Sequence, residues 1–158
     1  MSMTPQEIFD TLQARFGDAI IDFTDNLEPW IRVKPESVAE VCAYLHDDDA
    51  LQFESLMCLS GVDYEAHMTV VYHLSSSSHR HRIALKAEVP RDNPHVPTVE
   101  QVWKIANWHE REAYDMFGIV FDGHSDLRRI LCPDDWEGYP LRKDYQVQEY
   151  YRGIKVEV

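Results

Sequence analysis

Two β-forming runs, "HMTVVYHL" and "HRIALKAEV", lie between His67 and Val89, separated by a stretch whose core is the polar "SSSS" of Ser75–Ser78. In the second run Ile83, Leu85, Ala87 and Val89 fall on one face, and Arg82, Ala84, Lys86 and Glu88 on the other. A period of two marks a half-buried antiparallel strand. The serine stretch is too short for a linker. These runs commit the chain to a sheet with one face covered, and the remaining elements must supply the cover.

Helices on either side can supply it. Thr4-Pro5-Gln6-Glu7 is a capping box with proline at the first helical position; Ile8, Leu12 and Phe16 follow at helical spacing and Gly17 ends the run. "AIIDF" and "WIRV" read as short strands around the turn-prone "TDNLEP". Pro35 opens a second helix with Val38, Val41, Cys42 and Leu45 on one face. "FESLMCLSGVDYE" reads as a strand interrupted at Gly61. "PRDNPHVP" cannot be helix. Thr98–Gln101 reads as a second capping box that opens a helix ending at Gly118, with Trp103, Ala106, Ala113 and Phe117 on its stripe and a break near Asn107-Trp108. From Phe121 the pattern dissolves into turns. The order predicts an α+β fold: a single domain with a mixed or antiparallel sheet flanked by helices, over residues 1–132, and an extended C-terminal tail, 133–158.

With 158 residues the chain fits one domain. No run reaches the roughly 18 apolar residues of a membrane span. "MSMTPQEIFD" lacks the basic region and apolar core of a secretory signal, so a cytoplasmic location is expected. The net charge of -13 argues against nucleic acid and against docking on anionic lipid. Residues 1–70 carry 14 acids and 3 bases, and the remainder 14 acids and 12 bases. The second half therefore has the mixed charge from which ion-pair networks are built. Cys42, Cys58 and Cys132 stand far apart, without a C-x-x-C. They read as small hydrophobes rather than disulfide, zinc or cluster ligands.

The chemistry-bearing motifs fail one by one. "HEREA" at His109 lacks the second histidine of a zinc protease, because Ala113 holds its place. Glu110 and Glu112, two apart on a helix, point away from one another and cannot share a substrate. Arg111 and Asp115, four apart, can meet. His79, His81, His95 and His124 read as surface residues. No phosphate loop or nucleophile elbow is present. The C-terminal third is dense in Trp136, Tyr139, Tyr145, Tyr150 and Tyr151, the residue types of interface hot spots. With too few periodic apolar residues for a core of its own, it must lie on its own domain or on a partner.

Glu110-Arg111-Glu112, Asp115-Met116-Phe117, His124, Arg128 and Ile130-Leu131 resemble the signature of the C-type subunit of NADH-quinone oxidoreductase, the thirty-kilodalton component of the peripheral arm of respiratory complex I. The resemblance is dense from Tyr72 to Tyr145, including "VPRDNPHVPTVEQVWKIANWHEREAYDMFGI" and "DLRRILCPDDWEGYPLRKDY". It departs at Ser125, where the family commonly has proline; serine is expected to loosen that turn. The resemblance implies a scaffold without catalytic, cofactor or metal residues of its own. The iron–sulfur clusters, NADH and quinone belong to other subunits. The implied partners are the large D-type component that builds most of the quinone pocket, the cluster-bearing B-type component, and other peripheral-arm subunits. It implies a peripheral place on the cytoplasmic face of the inner membrane. The expected contact set is Glu110, Arg111, Glu112, Asp115, His124, Arg128, Arg129, Trp136, Arg142, Lys143, Asp144 and Tyr145. In it, the Glu110–Glu112 helix and Arg128-Arg129 fix the C-terminal third by charge-assisted contacts, and Trp136–Tyr145 extends over the partner. An isolated chain could order that segment by self-association. The end at Val158 suggests a separate polypeptide rather than a fusion of the C-type and D-type components. Three other readings are open: the equivalent subunit of a membrane-bound hydrogenase or ferredoxin-driven complex, a free-standing enzyme, and an acidic interaction domain.

Overall fold

The first capping box forms as its residues dictate. In a computed structural model, which describes residues 2–156, Thr4 Oγ1 accepts from the Glu7 N–H and the Glu7 carboxylate accepts from the Thr4 N–H at 2.7 Å. Helix α1 (Pro5–Phe16) starts there and buries Ile8 and Leu12 completely. A short 3-10 turn leads into strands β1 (Ile20–Thr24) and β2 (Trp30–Val33), an antiparallel pair. A second 3-10 turn at Pro35–Ser37 precedes α2 (Val38–Asp47), whose inward face is Val38, Val41, Cys42 and Leu45.

Strands β3 (Ser55–Asp63), β4 (His67–Ser76) and β5 (His81–Pro90) form an antiparallel meander. On β5, Ile83, Leu85, Ala87 and Val89 are all buried while Arg82 is exposed. Ala84 is buried as well. The sheet order is β1-β2-β5-β4-β3. Its one parallel contact is β2 on β5, with Ile31 opposite Leu85. Two short parallel strands, β6 (His95–Pro97) and β7 (Val120–Asp122), bracket α3 (Ala106–Phe117). A small hairpin, β8 (Tyr150–Tyr151) and β9 (Ile154–Lys155), follows the turns of the C-terminal stretch. The fold is α+β with a mixed five-stranded sheet. Tyr72, Phe53 and Phe121 are its largest fully buried side chains; each such burial contributes about 2 kcal/mol.

Two expectations are corrected. Strand β3 is not interrupted at Gly61 but runs through it, paired with Val70. The glycine is there for space: a Cβ would meet the Phe117 ring at 2.7 Å. The second capping box does not form either, and α3 begins at Ala106 rather than after Thr98. Thr98 Oγ1 is bonded to Glu110 and also accepts from the Glu100 N–H, while Trp103 Nε1 donates to the Phe53 carbonyl at 3.0 Å. These contacts hold residues 98–105 as turns.

Candidate functional site

Helix α3 carries the Glu110–Glu112 signature, and its faces divide the labour. Glu110 and Asp115 have no exposed side-chain surface. Arg111 is buried and Glu112 is exposed. Arg111 and Asp115 do not meet as their spacing allowed. Each instead holds backbone of the segment that follows β7. Arg111 donates through Nε to the Arg128 carbonyl at 3.1 Å and through Nη2 to that of Arg129 at 2.9 Å.

Asp115 collects the N–H groups of Ile130, Leu131 and Cys132 on one carboxylate oxygen, at 3.1, 2.7 and 2.8 Å. Its other oxygen pairs with Arg129 at 2.7 Å. Three consecutive amides on one anion form a nest. Burial alone would raise the Asp115 pKa, but these donors, the Cys132 amide foremost, outweigh it and hold the carboxyl below its ordinary range. Arg129 continues outward to the carbonyls of Trp136 and Gly138, both at 2.9 Å. Of the charge-assisted contacts expected between this helix and Arg128-Arg129, Arg111 and Asp115 make theirs, largely through main-chain atoms, whereas Glu110 and Glu112 take no part and the Arg128 guanidinium pairs with Asp126 instead.

The C-terminal end of α3 is held in the same way. Gly118 adopts φ +74, and a Cβ there would strike the Tyr139 ring at 2.6 Å. Arg142 lies over that ring, 4.9 Å from its centroid, and donates to the Phe117 carbonyl at 2.6 Å. A cation at helix-terminal carbonyls is favoured by the helix dipole. Leu141 N–H donates to the Met116 carbonyl at 3.0 Å. Trp136 Nε1 donates to Tyr145 Oη at 3.1 Å.

A second node was missed in the sequence. Asp63, at the end of β3, pairs with Arg91 and accepts from the Lys143 N–H at 2.9 Å. Arg91 also reaches Asp144 at 2.8 Å. Burial pushes the Asp63 carboxyl up, yet Arg91 and the Lys143 and Glu65 amides bring it down to about 2. Arg91 stands in "PRDNPHVP", which by pattern reads only as a connection, and its pairing with a residue of β3 left no local mark. Lys143 itself pairs with Glu65 at the surface, and Arg128 with Asp126.

Glu110 faces the other way, into a polar cluster. It accepts from the Val99 N–H at 2.7 Å and shares a 2.5 Å hydrogen bond with Thr98 Oγ1. Burial outweighs both bonds, and nearby Glu100 adds to it, so the Glu110 carboxyl is raised to about 7. His124 is not a surface residue: its side chain has no exposure, with Nε2 3.7 Å from Glu100 and 3.8 Å from Glu110. His81 is likewise buried, against the Leu51 carbonyl. Ser125 does not loosen its turn. Its N–H donates to Glu100 at 2.6 Å and its hydroxyl to the same carboxylate at 3.0 Å, and proline could make neither bond. Burial acts to raise Glu100, but Asn107 and Ser125 hold it below its usual value.

The twelve residues thus fall into three groups. Asp115, Arg111, Arg129, Trp136, Arg142, Lys143, Asp144 and Tyr145 are joined along the C-terminal stretch, whereas Glu110 and His124 belong to the separate cluster, and Glu112 and Arg128 stand at the surface. Leu131 and Leu141 also face solvent, 64% and 56% exposed. The three cysteines are free, with only Cys42 fully buried. No helix among the described residues is long and apolar enough to cross a membrane.

Comparison with known proteins converges on one family. Residues 31–151 match the model of the respiratory-chain NADH dehydrogenase 30 Kd subunit. The C-type subunit of NADH-quinone oxidoreductase from Chloroherpeton thalassium is 47% identical over 96% of this chain, which spans 65% of that relative's length. Its counterpart from Chlorobium phaeobacteroides is 49% identical over 94% of this chain and 92% of its own. Among solved structures, a trypsin-resistant fragment of Nqo5 superposes with a TM-score of 0.63 at 30% identity, covering 78% of this chain and all of the fragment. A chain of a membrane-bound sulfane sulfur reductase, an archaeal respiratory membrane complex, shares the fold at a TM-score of 0.74 and 23% identity, over 89% of this chain and 85% of its own. A match over most of the length in sequence, and in fold, leaves one assignment: the chain belongs to the family of the 30 Kd subunit of respiratory-chain NADH dehydrogenase, the C-type subunit of NADH-quinone oxidoreductase.

Proposed function

We propose that this chain is a scaffold of the peripheral arm of an NADH-quinone oxidoreductase, without catalytic residues or cofactors of its own. Electrons pass from NADH to quinone through iron–sulfur clusters on other subunits, and the whole complex couples that transfer to proton translocation. The chain braces the D-type quinone-site component and the cluster-bearing B-type component from the cytoplasmic side, peripheral to the membrane.

The observation that carries this reading is the Arg111–Asp115–Arg129 network. Its buried charged groups act on main-chain atoms of residues 128–138 rather than on a cleft. Such a network holds a shape. The shape it holds leaves Arg128, Leu131 and Leu141 outward, side chains suited to a partner surface.

Removing one member of a buried charged network is costly, roughly 3 kcal/mol or more. Arg111→Ala is therefore expected to lower the yield of assembled complex sharply, while the turnover of whatever complex does assemble stays normal. Blue-native electrophoresis of solubilised membranes reads the first quantity and NADH-driven quinone reduction the second. Normal assembly would count against the scaffold.

Copurification through a C-terminal tag tests the setting. Recovery of quinone-site, cluster-bearing and membrane subunits supports it, and recovery of the chain alone sinks it. The fold is shared with a sulfane sulfur reductase chain, so the fold by itself does not choose the electron donor. An NADH-binding subunit among the copurified chains separates this reading from a hydrogenase-like or ferredoxin-driven complex.

A further inference from the structure

The Glu110 cluster takes no part in the scaffold contacts described above, and its geometry raises a separate question: where is its proton? His124 Nδ1 accepts from the Asp126 N–H at 3.0 Å, so that nitrogen carries no hydrogen. The Nε2–H must then donate to the Asn107 carbonyl, 3.0 Å away. The backbone fixes this imidazole as the neutral Nε2–H tautomer. Two carboxyl groups nevertheless lie within 4 Å of it. Of these, Glu100 is supplied with donors by Asn107 and by the Ser125 amide and hydroxyl. Glu110, wholly buried, has among the described residues only Val99 N–H and Thr98 as donors, and no cation.

The other groups that bear on Glu110 make ionisation harder. Glu100 is a like charge. Cys42 from α2 and Tyr72 from β4, both fully buried, lie within its electrostatic reach and are neutral; the Tyr72 hydroxyl has no hydrogen-bond partner among the described residues. Arg111, next along α3, is turned to the Arg128 and Arg129 carbonyls. Beyond the Val99 N–H and the Thr98 hydroxyl, an anion at Glu110 would have to draw on water, and one of the segments that keep water from it is the one that carries His124. In that segment, Gly123–Asp126, the unexposed His124 stands 3.8 Å from Glu110, Ser125 is tied to Glu100, and Gly123 adopts φ +83.

We propose that Glu110 and the Gly123–Asp126 segment form a proton-operated cover, closed while Glu110 holds a proton and opened to water when it is lost. The neighbouring segment is the one gripped by Arg111 and Asp115, so opening lowers the order of the signature loop from its upstream side.

The test is NMR on the full chain with 13C-labelled glutamate, from roughly pH 5 to pH 9. The Glu110 carboxyl is expected to titrate well above the exposed glutamates. Protection of the Ser125 amide against hydrogen exchange, corrected for intrinsic rate, is expected to fall roughly tenfold or more across the same midpoint. Glu110→Gln should keep that protection flat. A Glu110 midpoint in the ordinary range, flat protection in the native chain, or an undiminished pH dependence in Glu110→Gln would each overturn the proposal. If Glu110→Gln does not fold, Ser125→Ala decides. It removes a tie of the cover, eases hydration of the anion and must lower the Glu110 midpoint; an unchanged midpoint overturns the cover.

Discussion

Asp115, whose side chain has no exposed surface, places three amides and one guanidinium on its two oxygens. Asp115→Asn keeps the size but replaces one acceptor oxygen by a donor and leaves Arg129 without its anion. A loss of about 3 kcal/mol is expected, read as a lower urea midpoint at unchanged slope. Glu110 gives the opposite sign. Its carboxyl has a reference pKa of 4.5 and in the fold rises to about 7. Below 4.5 both folded and unfolded states hold the proton. Between 4.5 and about 7 the folded state holds more, so stability falls as pH rises through that window and levels above it. Each pH unit of displacement is worth about 1.4 kcal/mol. Glu110→Gln should flatten that window in denaturation curves taken across pH. Glu110, Arg111 and Asp115 were legible in the sequence as a charged signature. Their bonding was not, because most of the partners are backbone amides and carbonyls, which every residue possesses. His124 read as a surface residue for a similar reason: burial of one imidazole is decided by two segments meeting in space.

At the level of elements, patterns within a single helix or strand were the readable ones. The Thr4 box, the inward face of α2 and the alternation of β5 depend on neighbours in the chain, and all three form. The Thr98 box has the same local pattern, with Gln101 in the place of Glu7, and fails, because Glu110 takes the threonine hydroxyl from across the turn. Gly61 misleads in the same way. A glycine in a strand suggests a break, yet here it admits the Phe117 ring from α3. Gly61→Ala should therefore cost roughly 1–3 kcal/mol through overpacking. Phe117→Leu in the same chain should restore part of that loss. A double-mutant cycle by thermal or urea unfolding would show coupling between the two, and strict additivity would mean that the ring and the strand are independent.

For the molecule as a whole, composition and element order were enough for an α+β sheet protein, but they could not place the N-terminal hairpin. "WIRV" is a short strand with no mark of its partner, and the partner proves to be β5, in parallel. The hairpin is joined to the sheet by an element far away in the chain: Leu85 stands opposite Ile31, a separation of 54 residues (85 less 31). The β3-β4-β5 meander, by contrast, pairs neighbours in sequence. Local pairings form ahead of distant ones because they close shorter loops. During synthesis, then, the first strands made are among the last to be seated. Ile31 and Val33, wholly buried in the finished fold, leave the ribosome with no sheet to join until His81–Pro90 has followed them out. The early acidic half of the chain, with 14 acids to 3 bases in residues 1–70, keeps that waiting hairpin in like-charged company, and like charge is what keeps nascent chains apart.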